Sequence, residues 1–111
     1  MSMFVILTSK PGQFRTEPGA GLRPVEAYEY RFGGALKARF VIAALEREVK
    51  VTVVDEAEPP VVNRVPAKFL ARFESLEAAR RELEHLTAFG SVRATLTPAP
   101  LPLVPSLMAS A

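Results

Sequence analysis

A Gly-Gly pair at residues 33–34 separates two runs in which polar and apolar side chains alternate. In the first run, residues 25–32, both tyrosines and a phenylalanine fall on one face. The second run, residues 35–46, alternates as well, although its alanines would also allow a helix. Two-residue hairpin turns need positive φ, which glycine adopts without strain. The pattern therefore predicts two antiparallel strands joined by a tight turn.

Three further segments have the character of strands. Residues 3–8 form a short apolar run, residues 49–55 continue the meander after a turn at 46–48, and residues 91–97 alternate again. The segment between the first two strands, residues 9–24, contains three prolines and three glycines without any period, which predicts a long loop.

Two helices are predicted in the second half. Ser75 is a good N-cap for a helix over residues 75–89, which Gly90 would end. An apolar stripe recurs along this helix at helical spacing: Leu76, Ala79, Leu83 and Leu86. Pro66 suits the first position of a shorter helix over residues 66–73, with an apolar side made of Phe69, Leu70 and Phe73.

These elements predict an α+β fold: a mostly antiparallel sheet of four to five strands, arranged as a β-meander, with the main helix packed on one face. We expect one domain over residues 1–97. Residues 98–111, PAPLPLVPSLMASA, contain four prolines and no charge, which is typical of an extended or disordered tail. One helix covers little of such a sheet, so we expect the exposed apolar surface to be buried by a partner or by self-association.

Composition limits the functions that are plausible. The chain has 111 residues, is 49% hydrophobic and 23% charged, and so has the composition of one folded domain. It has no cysteine, which excludes disulfides, thiolate metal sites and cysteine nucleophiles. No apolar stretch approaches about 20 residues, so we expect no membrane span and a cytoplasmic location. The net charge of +2 is spread along the chain, which makes nucleic-acid binding an unfavoured alternative.

Two groups of ionisable residues could carry chemistry. Asp55, Glu56 and Glu58 could hold a cation or act as acid and base, but we interpret them as a solvent-facing strand end. His85 is the only histidine and lies opposite the apolar stripe, so we expect it on the surface. The sequence thus predicts no catalytic residue, no metal and no cofactor.

Two sets of residues remain as candidates for binding. A pocket between sheet and helix, lined by Tyr28, Tyr30 and Phe40, could take an aromatic or acyl compound, with Arg39 or Arg64 as its cation. Asn63 and Arg64 are also candidate ligand-binding residues because prolines enclose them in a stiff segment that could hold them in place for recognition. The tail could dock on a partner subunit through Pro102, Leu103, Pro105, Leu107 and Met108.

The hypothesis that these observations favour is a non-catalytic accessory subunit or protein-interaction module of a bacterial-type cytoplasmic complex, associated with a metabolic enzyme. A small ligand-binding domain or enzyme is the second hypothesis, with Arg39 or Arg64 holding a carboxylate. Nucleic-acid binding through the arginines of the first half is the third.

Overall fold

The computed structural model describes residues 3–87 and 94–101. Within these ranges the chain forms seven strands, one α-helix and one 3-10 turn at Ala67–Phe69. In chain order the elements are β1 (Met3–Ser9), β2 (Phe14–Glu17), β3 (Leu22–Phe32), β4 (Ala35–Leu45), β5 (Lys50–Asp55), β6 (Val61–Pro66), α1 (Leu76–Thr87) and β7 (Ala94–Ala99). The predicted α+β class with mostly antiparallel pairing and one main helix is confirmed.

The glycine pair forms the predicted hairpin. Gly33 and Gly34 have φ of 59° and 84°, and the residues on either side of them, Phe32 and Ala35, are partners in the antiparallel β3–β4 register. The alternation in residues 35–46 thus produces a strand and not the helix that its alanines would also allow.

The strands form two sheets, whereas the sequence predicted one. The first sheet has the order β1-β4-β3-β7 and the second the order β2-β5-β6. The predicted meander ends at β4 because that strand already pairs with β1 along one edge and β3 along the other. A strand has only two edges for hydrogen bonding, so β5 cannot join β4. It pairs instead with β2 and β6, two strands that were not predicted from the sequence.

Two strands were missed in proline-containing segments. β2 lies inside residues 9–24, predicted to be a loop, and β6 lies in the segment after Pro59 and Pro60. Both are short and pair with β5. Four residues of β2 are too few to establish a period, and the prolines around β6 reduced the strand signal.

The predicted short helix at 66–73 is wrong. Only the 3-10 turn forms there, and Phe69 is 72% exposed. Leu70 and Phe73 pack into different apolar clusters, and the Phe73 backbone exchanges two hydrogen bonds of 2.8 Å with Phe4. The three residues expected on one helix face therefore point to different places.

The main helix matches its prediction closely. Ser75 caps it, because the Ala78 N–H donates to Ser75 Oγ at 3.1 Å. Ala79 and Leu83 are buried and Leu76 packs beside them, but Leu86 is 53% exposed, so the stripe stops one turn early. Residues 88–90, which include the predicted stop, lie outside the described residues.

The first sheet is covered on both faces. One face packs against α1, and its cluster contains Ile42, Phe40 and Leu83. The other face packs against the second sheet, and its cluster contains Val5, Ala43 and Val51. The sequence predicted a sheet covered only by helix, whereas here the second sheet packs on the face that α1 leaves open.

The last strand also runs further than predicted. β7 pairs with β3 as far as Ala99 opposite Ala27, so Pro98 belongs to the sheet. A proline is tolerated there because β7 is an edge strand. The sheet thus extends two residues into the stretch assigned to the tail, and residues 102–111 lie outside the described residues.

Candidate functional site

A cleft of about 690 Å³ lies between the two sheets, on the face away from α1. The registers place Ala27 beside Val41 and Ala99, and Val41 packs into the cluster under the second sheet, which identifies the face. The volume falls in the range of about 300–1,000 Å³ that is usual for small-molecule sites. Its lining comprises Ser9, Pro11, Gly12, Phe14, Arg15, Thr16, Glu17, Pro18, Ala27, Tyr28, Glu29, Arg39, Phe40, Val41, Glu56, Ala99 and Pro100.

The wall formed by β2 is held to the first sheet by side-chain hydrogen bonds. The Thr16 N–H donates to Ser9 Oγ at 2.9 Å, and Thr16 Oγ1 donates to the Thr8 carbonyl at 2.5 Å. Phe14 and Thr16 therefore stand beside the end of β1, where the two sheets diverge.

The charges around the cleft largely neutralise one another. Its lining has two cations, Arg15 and Arg39, and three carboxylates, Glu17, Glu29 and Glu56. Arg15 Nε lies 3.1 Å from Glu17 Oε2, and Arg39 Nε lies 3.5 Å from Glu29 Oε2. An anionic ligand would have to compete with these carboxylates for either arginine. The floor is apolar, so the cleft fits an uncharged apolar group better than a carboxylate.

The six candidate ligand-binding residues do not meet in one place. Tyr28, Arg39 and Phe40 border the cleft, whereas Tyr30, Asn63 and Arg64 do not. The two tyrosines and Phe40 pack in the cluster under α1. The space between sheet and helix that was predicted to hold a ligand is thus occupied by these aromatic side chains.

Sequence reasoning missed the apolar floor of the cleft. Ala27 lies between Glu26 and Tyr28, and the alternation did place it opposite the tyrosines. Phe14 lies in a stretch with no period, and Ala99 lies in a segment assigned to the tail. No local pattern connects these three residues, which come together only when the strands pair.

The second candidate site is the outer edge of β6. This strand is the last of its sheet, and Val61 and Val62 are 50% and 60% exposed. Asn63 and Arg64 are exposed on the same strand. These two polar residues, which the sequence placed in a stiff proline-rich segment, therefore belong to a sheet edge that no other strand of the described residues pairs with.

The direction of the β6 backbone groups follows from the hydrogen-bond pattern. The Ala67 N–H donates to the Val49 carbonyl at 2.8 Å, and the register pairs Val65 with Val51. Hydrogen-bonded and non-hydrogen-bonded pairs alternate along an antiparallel ladder. The backbone groups of Val62 and Arg64 therefore point away from β5, free to bond a further strand.

The acidic segment forms the turn after β5. Asp55 Oδ1 accepts the Ala57 N–H at 2.9 Å, and Asp55, Glu56 and Glu58 are all exposed. The described residues contain no group of three or more acidic or histidine side chains arranged to hold a metal ion. His85 is exposed, as predicted.

A polar network joins α1 to β3. Arg80 Nε donates to Glu26 Oε1 at 2.8 Å, Arg80 Nη2 donates to Glu26 Oε2, and Tyr28 Oη donates to Glu26 Oε1 at 2.9 Å. The hydrogen bonds from Arg80 hold the pKa of Glu26 below its usual value, and burial together with Glu26 raises the pKa of Tyr28. The helix is thereby held over the tyrosine-bearing strand.

This network predicts a specific dependence of stability on pH. A carboxylate whose pKa is lowered on folding stabilises the fold above its unfolded pKa, about 4.3, and this stability is lost as pH falls through the folded pKa. Between pH 7 and pH 3, we expect the urea midpoint of the natural chain to fall further than that of Glu26→Gln. The urea midpoint of the control Glu58→Gln, which changes an exposed carboxylate in the turn after β5, should fall as far as that of the natural chain. Equal falls for all three proteins would contradict the assignment.

The paired arginines also bear on nucleic-acid binding. Five arginines of the described chain, Arg15, Arg31, Arg39, Arg72 and Arg80, lie within 4.0 Å of a carboxylate. Arg39 projects from the face of the first sheet opposite Tyr28 and Phe40, so this arginine and these rings do not share a surface. In the described part of the first sheet, these residues therefore do not form the mixed surface on which bases stack.

The chain thus has an α+β architecture, in which a helix packs on one face of a four-stranded antiparallel sheet and a three-stranded sheet packs on the other. No protein-family model, curated protein or solved structure matches the chain. In the part of the chain that the structure describes, no helix has the length and apolar character needed to cross a membrane.

Proposed function

We propose that this chain is a non-catalytic accessory subunit, a cytoplasmic protein-interaction module that binds an extended segment of a partner protein along β6. The supporting observation is the exposed β6 edge. Unpaired edges accept further strands, and proteins that do not use them usually cover them or place charges on them. Here two valines are exposed on the edge, and Arg64 is its only charged residue.

The edge of β6 has the features that the addition of a partner strand requires. In this mode the partner's backbone supplies the hydrogen bonds, and alternate side chains supply the specificity. The outward groups of Val62 and Arg64 provide two donors and two acceptors. Pro66 occupies the next outward position, where it lacks an N–H, so the pairing would end there. A matching partner segment is short and extended, apolar where it meets Val62, and acidic where it meets Arg64.

Arg64→Pro tests this proposal because it removes one outward N–H and leaves the ladder to β5 without a missing donor. We expect the partner that co-purifies with the natural chain from its source cell, identified by mass spectrometry, to be lost with Arg64→Pro. Arg64→Ala is the matched control, since it retains the N–H and should retain most of the partner. Val62→Lys is a second variant that should also lose the partner, because it places a charge at a residue that is 60% exposed and should meet an apolar side chain of the partner.

The outcome depends on the difference between these variants. A partner held equally by Arg64→Pro, Val62→Lys and Arg64→Ala would overturn the edge as the binding surface. Thermal melts of all the variants show whether each is folded.

The cleft supports the second candidate function, small-ligand binding. Its volume is suitable, but its paired charges favour an uncharged apolar compound over the carboxylate expected from the sequence. The association with a metabolic enzyme and the docking of the tail on a partner remain predictions. All five tail residues proposed to make that contact lie outside the described residues.

A further inference from the structure

We propose that the cleft binds the C-terminal segment of its own chain, residues 102–111. The first reason is where the described chain ends. Ala99 and Pro100 line the cleft, and Leu101, the last described residue, is 47% exposed. The next residues of the chain therefore begin at the rim of an apolar cleft.

The composition of the segment fits the lining. PLVPSLMASA has no charged side chain and contains two leucines, a valine and a methionine. The floor offers Phe14, Ala27 and Val41, while both arginines of the lining lie beside carboxylates. An uncharged extended segment buries apolar surface there without separating those ion pairs, which a charged ligand would have to do.

The length is also sufficient. The cleft extends from β7 across β3 and β4 to β1, which is three strand spacings of about 4.8 Å, or about 14 Å. An extended proline-rich chain covers about 3.1 Å per residue, so five residues span that distance and ten could span about 30 Å. Pro102 and Pro105 favour this conformation, which lowers the entropy cost of binding.

Attachment to the same chain strengthens the contact. A segment joined directly to the rim has a local concentration in the millimolar range, so weak contacts suffice to occupy the cleft. A small molecule or partner that binds in the same cleft would therefore compete with the segment. The inference concerns a different surface from β6 and does not rest on strand addition there.

The absence of cysteine permits a direct test. Ser106→Cys introduces a single thiol, to which a nitroxide spin label is attached. We expect the label to broaden the amide NMR signals of cleft residues such as Phe14, Ala27 and Val41, and to leave those of β6 unchanged. Adding Ala99→Asp, which places a charge in the cleft, should abolish the broadening. Adding Thr95→Asp, on the same strand and face but outside the cleft, should leave the broadening of the cleft residues unchanged.

Three further results decide the proposal. Removing residues 102–111 should shift the amide signals of Ala27 and Val41, and shifts confined to residues 99–101 would overturn it. Equal broadening of β6 and the cleft would overturn it as well. If a spin-labelled chain without isotope broadens the signals of a second, isotope-labelled natural chain, the segment occupies the cleft of another copy, and binding within one chain is wrong. A failed Arg64→Pro experiment would leave these results unaffected.

Discussion

Replacing Ile42 by alanine is expected to lower the free energy of unfolding by about 3 kcal/mol. Ile42 lies in β4, the strand between β1 and β3, and none of its surface is exposed. It packs in the cluster under α1, so the truncation removes apolar burial and leaves a cavity that rigid neighbours on both sides cannot fill. Such substitutions cost about 2–5 kcal/mol in protein cores. Urea denaturation followed by circular dichroism measures the change.

Leu86→Ala is the control for this prediction. Leu86 is also a large aliphatic residue, and the sequence placed it in the apolar stripe of α1, but it is 53% exposed. We expect a change within about 0.5 kcal/mol, as for other surface substitutions. If Leu86→Ala cost as much as Ile42→Ala, the helix would be packed in the way the sequence predicted and not in the way the structure shows.

Gly21→Ala is the second substitution with a large expected effect, about 2–4 kcal/mol. Gly21 precedes β3 with φ of 90°, a conformation that side chains disfavour. A Cβ at this position would also lie 2.5 Å from Val49 Cγ1 and 3.1 Å from Arg47 Cγ. In addition, the Gly21 carbonyl accepts the Glu46 N–H at 2.8 Å, so a shift here would disturb the junction between β4 and the second sheet.

Two comparisons separate the causes of that loss. Gly34 has φ of 84°, but a Cβ there would meet nothing within 4 Å, so Gly34→Ala measures the backbone strain alone, about 1–2 kcal/mol. Combining Gly21→Ala with Val49→Ala removes the clashing methyl group, and we expect the double variant to lose less than the sum of the single losses. Additive losses, or equal losses for Gly21→Ala and Gly34→Ala, would contradict the steric explanation.

The difference between the predicted and observed sheets has a consequence for function. The hypothesis of an interaction module rested in part on a sheet that a single helix covers poorly. The second sheet packs on the face that α1 leaves open, so this reason does not hold. The feature that supports an interaction module is the edge of β6, which carries Asn63 and Arg64, the polar pair that the sequence places between prolines.

Only part of the cleft could be predicted from the sequence. Tyr28, Arg39 and Phe40 border the cleft, whereas the side chains expected to line a pocket under the helix pack in the cluster there. Alternation reveals which side chains share a face of one strand, as for Tyr28 and Tyr30. It does not reveal which of the two faces the helix will cover and which the second sheet will cover.

The elements whose signals are local could be predicted from the sequence alone. The period of two around Gly33-Gly34 specified the β3–β4 hairpin, and Ser75 with its apolar stripe specified α1, because backbone dihedrals and side-chain direction depend on neighbouring residues. Only the tertiary structure decided that β4 would use both its edges on β1 and β3, so that β5 had to pair with β2 and β6. The cleft and the free β6 edge follow from that competition among strands distant in sequence, which no local pattern records.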